Sequence, residues 1–295
     1  LATGTVAAAG TLGAMIPPSI GFIIYGWYTE TPIGQLLIAG ILPGILNAVL
    51  FAAFIITYCT VYPDKAPPPD EHWPLREKVR LLLQIWPIPA LIASVIGGIY
   101  SGVATATEAA AFGAFAAIVI VFLRGDLTWQ VLRDSIVDAL HSGATIFFIA
   151  ISAVLLTRFL TLCGLPAFMG SFVDSADPSP YTVIFFMVVV YLILGMFLDP
   201  IGIMLITLPI LLPVFKAAGL DMIWMGVLVV MLLEIGLLTP PVGLNAFVIK
   251  SVVGDLVPLG TIFRGLIWFI LVDLIVVLLL VAFPGISLYL PRLMS

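Results

Sequence analysis

Glu234-Ile-Gly-Leu-Leu-Thr-Pro-Pro-Val-Gly-Leu-Asn245 interrupts a long apolar run near the C-terminal end of the chain. Pro240 and Pro241 have no backbone N–H to give a helix, and Gly236 and Gly243 loosen one. Apolar sequence runs up to the stretch and away from it, so the interruption falls at membrane depth. Backbone freed there has to be satisfied by protein, water or a bound ion. A proline kink packed against neighbouring helices accounts equally well for one such stretch taken alone.

The stretch has a counterpart. Gly13-Ala-Met-Ile-Pro17-Pro18-Ser19 shares the Gly-x-x-x-Pro-Pro spacing of Gly236 to Pro241. Each copy is followed by Pro-x-Gly, at Pro32-Ile-Gly34 and Pro258-Leu-Gly260, and then by a long apolar segment. Paired interruptions at corresponding places in two halves of a membrane chain are the sequence mark of a secondary-transporter site. The two copies are read as an internal repeat, which favours transport over a simple kink.

Composition limits the alternatives. Of 295 residues, 62% are hydrophobic and 9% charged, and the mean hydropathy is +1.27. That leaves too little polar surface to keep a chain of this size in water, and apolar runs of spanning length, about 20 residues, recur. The net charge of −5 does not set orientation, which follows local Lys and Arg. No basic patch points to nucleic acid. Cys59 and Cys163 lie far apart in apolar segments, and neither His72 nor His141 has a partner at ligand spacing. An intramembrane protease or lipid-modifying transferase needs a nucleophile–base pair or a metal cluster. No His-Glu-x-x-His, Gly-x-Ser-x-Gly or paired-Asp motif is present, so the chain is not read as an enzyme. A purely structural membrane partner would not need two matching interruptions.

Along the chain, residues 1–62 read as the end of a first inverted repeat: a helix broken at 13–19, then one long spanning helix over 33–62. Residues 63–84 form a Pro-rich loop followed by an amphipathic segment with Arg76, Lys78 and Arg80, placed in the cytoplasm by its positive charge. Residues 85–295 read as the second repeat. Within it, Thr105 and Glu108 fit a capping box opening a span to Leu123, and a helix runs from Trp129 to Leu162. Arg124 and Arg133 mark the loop before that helix as cytoplasmic, and the Lys/Arg-free loop 164–180 as external. Residues 181–215 form a re-entrant hairpin with its tip at Asp199-Pro200, which also fits an N-cap followed by proline. A capping aspartate at membrane depth is still a candidate functional group. A second broken helix covers 223–253, and the last span 259–283. The first copy has almost nothing before it, whereas long membrane segments precede the second. This reads the chain as the C-terminal portion of a longer protein.

These residues resemble the large membrane (M) subunit of the tripartite ATP-independent periplasmic (TRAP) transporters. The similarity is carried by Gly10-Thr-Leu-Gly-Ala-Met-Ile-Pro-Pro-Ser19, Thr105-Ala-Thr-Glu-Ala-Ala-Ala111, Gly195-Met-Phe-Leu-Asp-Pro200 and Glu234 to Asn245. Thr105-Ala-Thr107 departs mildly from the expected Thr-Pro-Thr. The resemblance implies an all-α polytopic membrane protein, an inverted-repeat elevator-type secondary transporter with a re-entrant hairpin and discontinuous helices. It implies sodium-driven uptake of small organic acids, such as a C4-dicarboxylate or sialic acid, across the bacterial inner membrane. It implies two partners, a small membrane subunit and a periplasmic substrate-binding protein, and no cofactor beyond sodium as coupling ion. In such folds a sodium site lies between a hairpin tip and a helix break. This pairs Asp199 with Thr239 to Asn245, and leaves Gly13 to Ser19 to a hairpin outside this sequence.

The candidate substrate- and ion-binding residues are thus Gly13, Pro17, Pro18, Ser19, Asp199, Thr239, Pro240, Pro241, Gly243 and Asn245. Sodium is assigned to Asp199, Thr239, Gly243 and Asn245. A hard cation takes oxygen ligands, which unwound carbonyls and Thr, Asn or Asp side chains supply, and helix N-termini at the breaks offer N–H groups to a carboxylate. The alternative within transport is a stand-alone divalent-anion/sodium symporter. The charge asymmetry makes a direct prediction. A cysteine introduced as Asp70→Cys is protected from an impermeant thiol reagent applied outside intact cells; efficient outside labelling would reverse the assigned topology.

Overall fold

A computed structural model describes residues 1–63, 74, 76, 77, 79, 84–165, 167, 168, 171 and 179–293. Every regular element among them is helical. The helices are α1 (Ala2–Met15), α2 (Ile20–Thr29), α3 (Ile33–Ala39), α4 (Ile41–Val61), α5 (Pro87–Tyr100), α6 (Ala106–Leu123) and α7 (Trp129–Leu162). They continue with α8 (Pro180–Gly195), α9 (Pro200–Ala217), α10 (Met222–Leu238), α11 (Leu244–Val253), α12 (Leu259–Ala282) and α13 (Gly285–Arg292). Among the described residues, six segments are long and apolar enough to cross a membrane: Ala2–Thr29, Ile33–Val61, Ala106–Leu123, Trp129–Leu162, Pro200–Ala217 and Leu259–Ala282. The protein is an all-α, multi-pass membrane protein. Most of the amphipathic segment expected before residue 84 and most of the loop 164–180 lie outside the described residues.

The chain divides into two compact units, Leu1–Ala48 with Leu140–Ser295, and Val49–Ala139. In the second, α5 packs against α6 across a turn at Ser101–Gly102, where Gly102 adopts φ +70°. Thr105 and Glu108 form the expected capping box. Thr105 Oγ1 accepts the Glu108 N–H at 3.3 Å, and Glu108 Oε2 accepts the Thr105 N–H at 2.8 Å.

The first unit is built around α10. Fourteen of its 17 residues are buried, because it is apolar all round and surrounded by α1, α2, α3, α8, α9, α11, α12 and α13. Polar side chains pin its N-terminal end. Tyr25 of α2 donates to the Met222 carbonyl at 3.0 Å, and Trp224 Nε1 donates to the Leu280 carbonyl of α12 at 3.0 Å. On the periphery, α7 leaves Phe147 and Phe148 more than 70% exposed, an apolar exterior suited to acyl chains rather than water.

Both expected interruptions are present. The first lies between Met15 and Ile20, the second between Leu238 and Leu244, and both Pro–Pro peptide bonds are cis. The first falls in the middle of the 28-residue segment Ala2–Thr29. Helices α8 and α9 form the hairpin with its turn at Met196–Asp199. That turn touches the second break, where the Val242 N–H donates to the Met196 carbonyl at 3.3 Å. Asp199 borders one cavity with Gly13 and Ser19 of the first. The hairpin therefore ends at the depth of the breaks.

The expected helix over 33–62 is present as one 29-residue apolar segment, Ile33–Val61, in which Gly40 joins α3 to α4 with helical dihedrals (φ −74°, ψ −18°). Pro43 cannot donate to the Ala39 carbonyl, and Gly40 lies against the first break. A Cβ at Gly40 would fall 2.6 Å from the Met15 carbonyl oxygen and would run into the Phe22 ring. The tail contains α13, which packs on α3 with Ser287 and Leu288 buried.

The hairpin reaches the second break because α8 and α10 meet backbone to backbone. A Cβ at Gly195 would lie 2.7 Å from Gly236 Cα, and one at Gly236 would lie 2.7 Å from Gly195 Cα. Small residues permit such approaches between membrane helices. Gly236→Ala should therefore destabilise the protein by about 1–3 kcal/mol through overpacking. Gly260→Ala, with nothing within 4 Å, should stay within about 0.5 kcal/mol of the parent. Thermal unfolding of both variants in detergent checks this; equal melting would show that the contact is not tight.

Candidate substrate and ion site

Each interruption leaves the carbonyls of one half-helix and the N–H groups of the next without intrahelical partners. At the first break, Ser19 is the N-cap of α2 and is 2% exposed; its Oγ accepts the Phe22 N–H at 3.5 Å. Pro17 is buried beside it and Pro18 is exposed, while Gly13 belongs to the last turn of α1. At the second break, Thr239 Oγ1 donates back to the Ile235 carbonyl at 2.6 Å. Pro240 and Pro241 follow, and Gly243 enters α11 with φ +54°. A Cβ at Gly243 would meet the Phe263 ring at 2.6 Å, so glycine is required there by both conformation and space. Asn245 lies in the first turn of α11 and donates from Nδ2 to the Ala7 carbonyl of α1 at 3.3 Å. The second broken helix is thereby tied to the first.

Two cavities lie beside these breaks. The larger, about 500 Å³, is lined by Gly13, Ala14, Pro18 and Ser19 of the first break, Asp199 to Ile201 of the hairpin tip, and Val230, Leu233 and Glu234 of α10. The smaller, about 280 Å³, is lined by Val6, Ala7, Gly10 and Ala14 of α1, Glu234 and Leu237 of α10, and Asn245, Val248 and Ile249 of α11. Ala14 and Glu234 border both. Asp199 thus shares a cavity with Gly13, Pro18 and Ser19. Thr239, Pro240, Pro241 and Gly243 border neither cavity, and Asn245 borders the smaller one.

The larger cavity combines opposite electrostatic elements. The N-caps of α2 and α9, Ser19 and Asp199, both line it; α2 offers its positive end to a carboxylate, while the Asp199 carboxylate already occupies the end of α9. Asp199 Oδ2 accepts the Gly202 N–H at 2.8 Å, leaving Oδ1 for a cation. Glu234 adds a second carboxyl, 7% exposed and with no hydrogen bond among the described residues. The cavity has the chemistry to hold a small cation and a carboxylate together. Among the described residues no cluster of three or more His, Cys, Asp or Glu could hold a metal ion.

Sequence reasoning quoted Glu234 as the start of a motif but did not select it as a site residue. It also passed over Asp273, 1% exposed within α12. An ionisable residue inside an apolar run is itself a functional signal, and it would have identified both.

A multi-pass membrane chain with a helical hairpin ending at two interrupted helices defines the secondary-transporter class. The chain belongs to the family described as Tripartite ATP-independent periplasmic transporter, DctM component, which matches residues 1–286. It is 36% identical over 291 residues to the C4-dicarboxylate TRAP transporter large permease protein DctM of Pseudomonas aeruginosa, covering 98% of this chain and 67% of the relative. It is 34% identical over 286 residues to the ectoine/5-hydroxyectoine TRAP transporter large permease protein UehC of Ruegeria pomeroyi, covering 96% and 65%. With the sialic acid TRAP transporter large permease protein SiaM of Vibrio cholerae the identity is 32% over 300 residues, covering 99% and 67%. The chain spans about two thirds of the length of these relatives.

Asp199 has two separable roles in this geometry, as a helix cap and as a charge on the cavity wall. Asp199→Ala should cost about 1 kcal/mol of stability through the lost cap, whereas Asp199→Asn should keep it, because asparagine caps as well as aspartate. Thermal unfolding of the two variants side by side measures the difference.

Proposed function

We propose that this chain is the core of the large permease subunit of a sodium-coupled, binding-protein-dependent importer of small organic acids. The importer lies in the bacterial inner membrane, with a small membrane subunit and a periplasmic substrate-binding protein as partners. The observation that carries this reading is the larger cavity. It brings an interrupted helix, a hairpin tip, two helix N-termini and two carboxyls to one place. A carboxylate substrate is met by the N-terminus of α2, and sodium by Asp199 and Glu234 oxygens. Asn245, Thr239 and Gly243 serve the second interruption, where the freed carbonyls of α10 offer further oxygen ligands. Family membership supports the three-component arrangement, and the relatives' names span C4-dicarboxylate, sialic acid and ectoine. A stand-alone divalent-anion/sodium symporter is the competing arrangement. Co-purification of a small membrane subunit and a binding protein separates the two.

Uptake in proteoliposomes holding the full-length permease with both partners tests the ion site. C4-dicarboxylates, sialic acid and keto acids serve as substrates, over a sodium series. Asp199→Asn and Asn245→Ala should each raise the half-saturating sodium concentration about tenfold, the effect of losing one charge-assisted or polar contact, at normal protein levels. An unchanged half-saturation value in both would leave these residues as helix caps and ties only.

A further inference from the structure

Asn47 of α4 and Asp273 of α12 are both 1% exposed. Asn47 Nδ2 donates to Asp273 Oδ1 at 2.9 Å. The remaining oxygen of each, Asn47 Oδ1 and Asp273 Oδ2, is fully buried without a hydrogen-bond partner. Both atoms are acceptors, so the pair lacks a donor or a positive charge. Neither residue lines the cavities at the two breaks.

The elements packed against α12 do not supply that charge. Helix α1 has no ionisable side chain. Lys250 of α11 is engaged at its own helix end by the Gly254 and Val257 carbonyls and by Asp255. Helix α13 carries Tyr289 and Arg292, and α12 itself carries Arg264, nine residues before Asp273 and so about 13 Å along the helix. Beyond Asn47, α4 carries only Tyr58 and Cys59, about three turns farther on. Among the described residues no Lys or Arg pairs with Asp273. The ionisable group that does act on it is another acid: Glu234 of α10 lies within electrostatic reach. Two buried carboxyls near one another with no basic partner demand a compensating cation.

We propose that Asp273 and Asn47 form a second intramembrane cation site, apart from the cavity at the hairpin tip, which takes a proton or a sodium ion on their two unpartnered oxygens. Glu234 links this site to both cavities. A cation held at Asp273 removes the like charge that a carboxylate at Glu234 would otherwise face. The site rests on the Asn47–Asp273 geometry and stands whether or not sodium binds at the hairpin tip.

Thermal unfolding of the purified full-length permease in detergent tests the site. One arm exchanges choline for sodium at fixed pH and ionic strength; the other varies pH without sodium. A ligand bound only by the folded state raises the melting temperature with its concentration. Sodium occupancy therefore appears as a rise with sodium, and proton occupancy as a fall with rising pH that sodium does not alter. Asp273→Asn should abolish the dependence, since its new N–H group gives Asn47 Oδ1 the missing donor. Each variant is compared in an Asp199→Asn background, which weakens the hairpin-tip sodium site and so isolates the Asp273 dependence. Asn47→Asp, which adds a carboxyl, should steepen it. The proposal is overturned if Asp273→Asn keeps the full sodium and pH dependence of the parent, or, should that variant not fold, if Asn47→Asp leaves the dependence unchanged.

Discussion

A helix broken inside a bilayer must find partners for its freed backbone groups within the protein, because lipid offers none. The first unit follows from that requirement. The hairpin turn gives Met196 O to the Val242 N–H of the second break, and Asn245 ties the helix after that break to the Ala7 carbonyl. Ser19 and Asp199 cap the helices that restart beside the larger cavity. The Met196–Val242 contact needs the hairpin and α10 to come together at backbone distance, which Gly195 and Gly236 allow. The buried position of α10 at the centre of this unit is therefore tied to the polar groups as well as to its apolar surface.

The carboxyls of Asp199, Glu234 and Asp273 fall into two kinds. Asp199 is exposed and already spends one oxygen on a helix cap, so its cost is low and its second oxygen is free for a ligand. Glu234 and Asp273 are buried, and no basic side chain pairs with either among the described residues. Buried charge without a partner is strongly destabilising, so retaining two such groups near one another fits a protein that handles cations rather than one that only fills a bilayer. Glu234 stands where these features meet, on the wall shared by two cavities and within reach of Asp273.

The sequence by itself determined the features that depend on neighbours in the chain. Both interruptions were legible, because proline and glycine act on the backbone within one turn. So were the capping box at Thr105 and Glu108 and the cap at Asp199, which join residues three apart. The hairpin, the last span and the helix Trp129–Leu162 followed from apolar length between polar turns. Tertiary structure decided what requires distant segments to meet. The need for glycine at position 40 comes from the Phe22 ring and the Met15 carbonyl lying against it, and no local pattern records that. Which residues share a cavity with Asp199 was also a matter of packing: the first interruption lines it, while Asn245 lies across the wall formed by Ala14 and Glu234. Asn47 and Asp273 are 226 residues apart. Each looks like a single polar residue in an apolar helix, and only the packed fold brings them together and leaves two of their oxygens without partners.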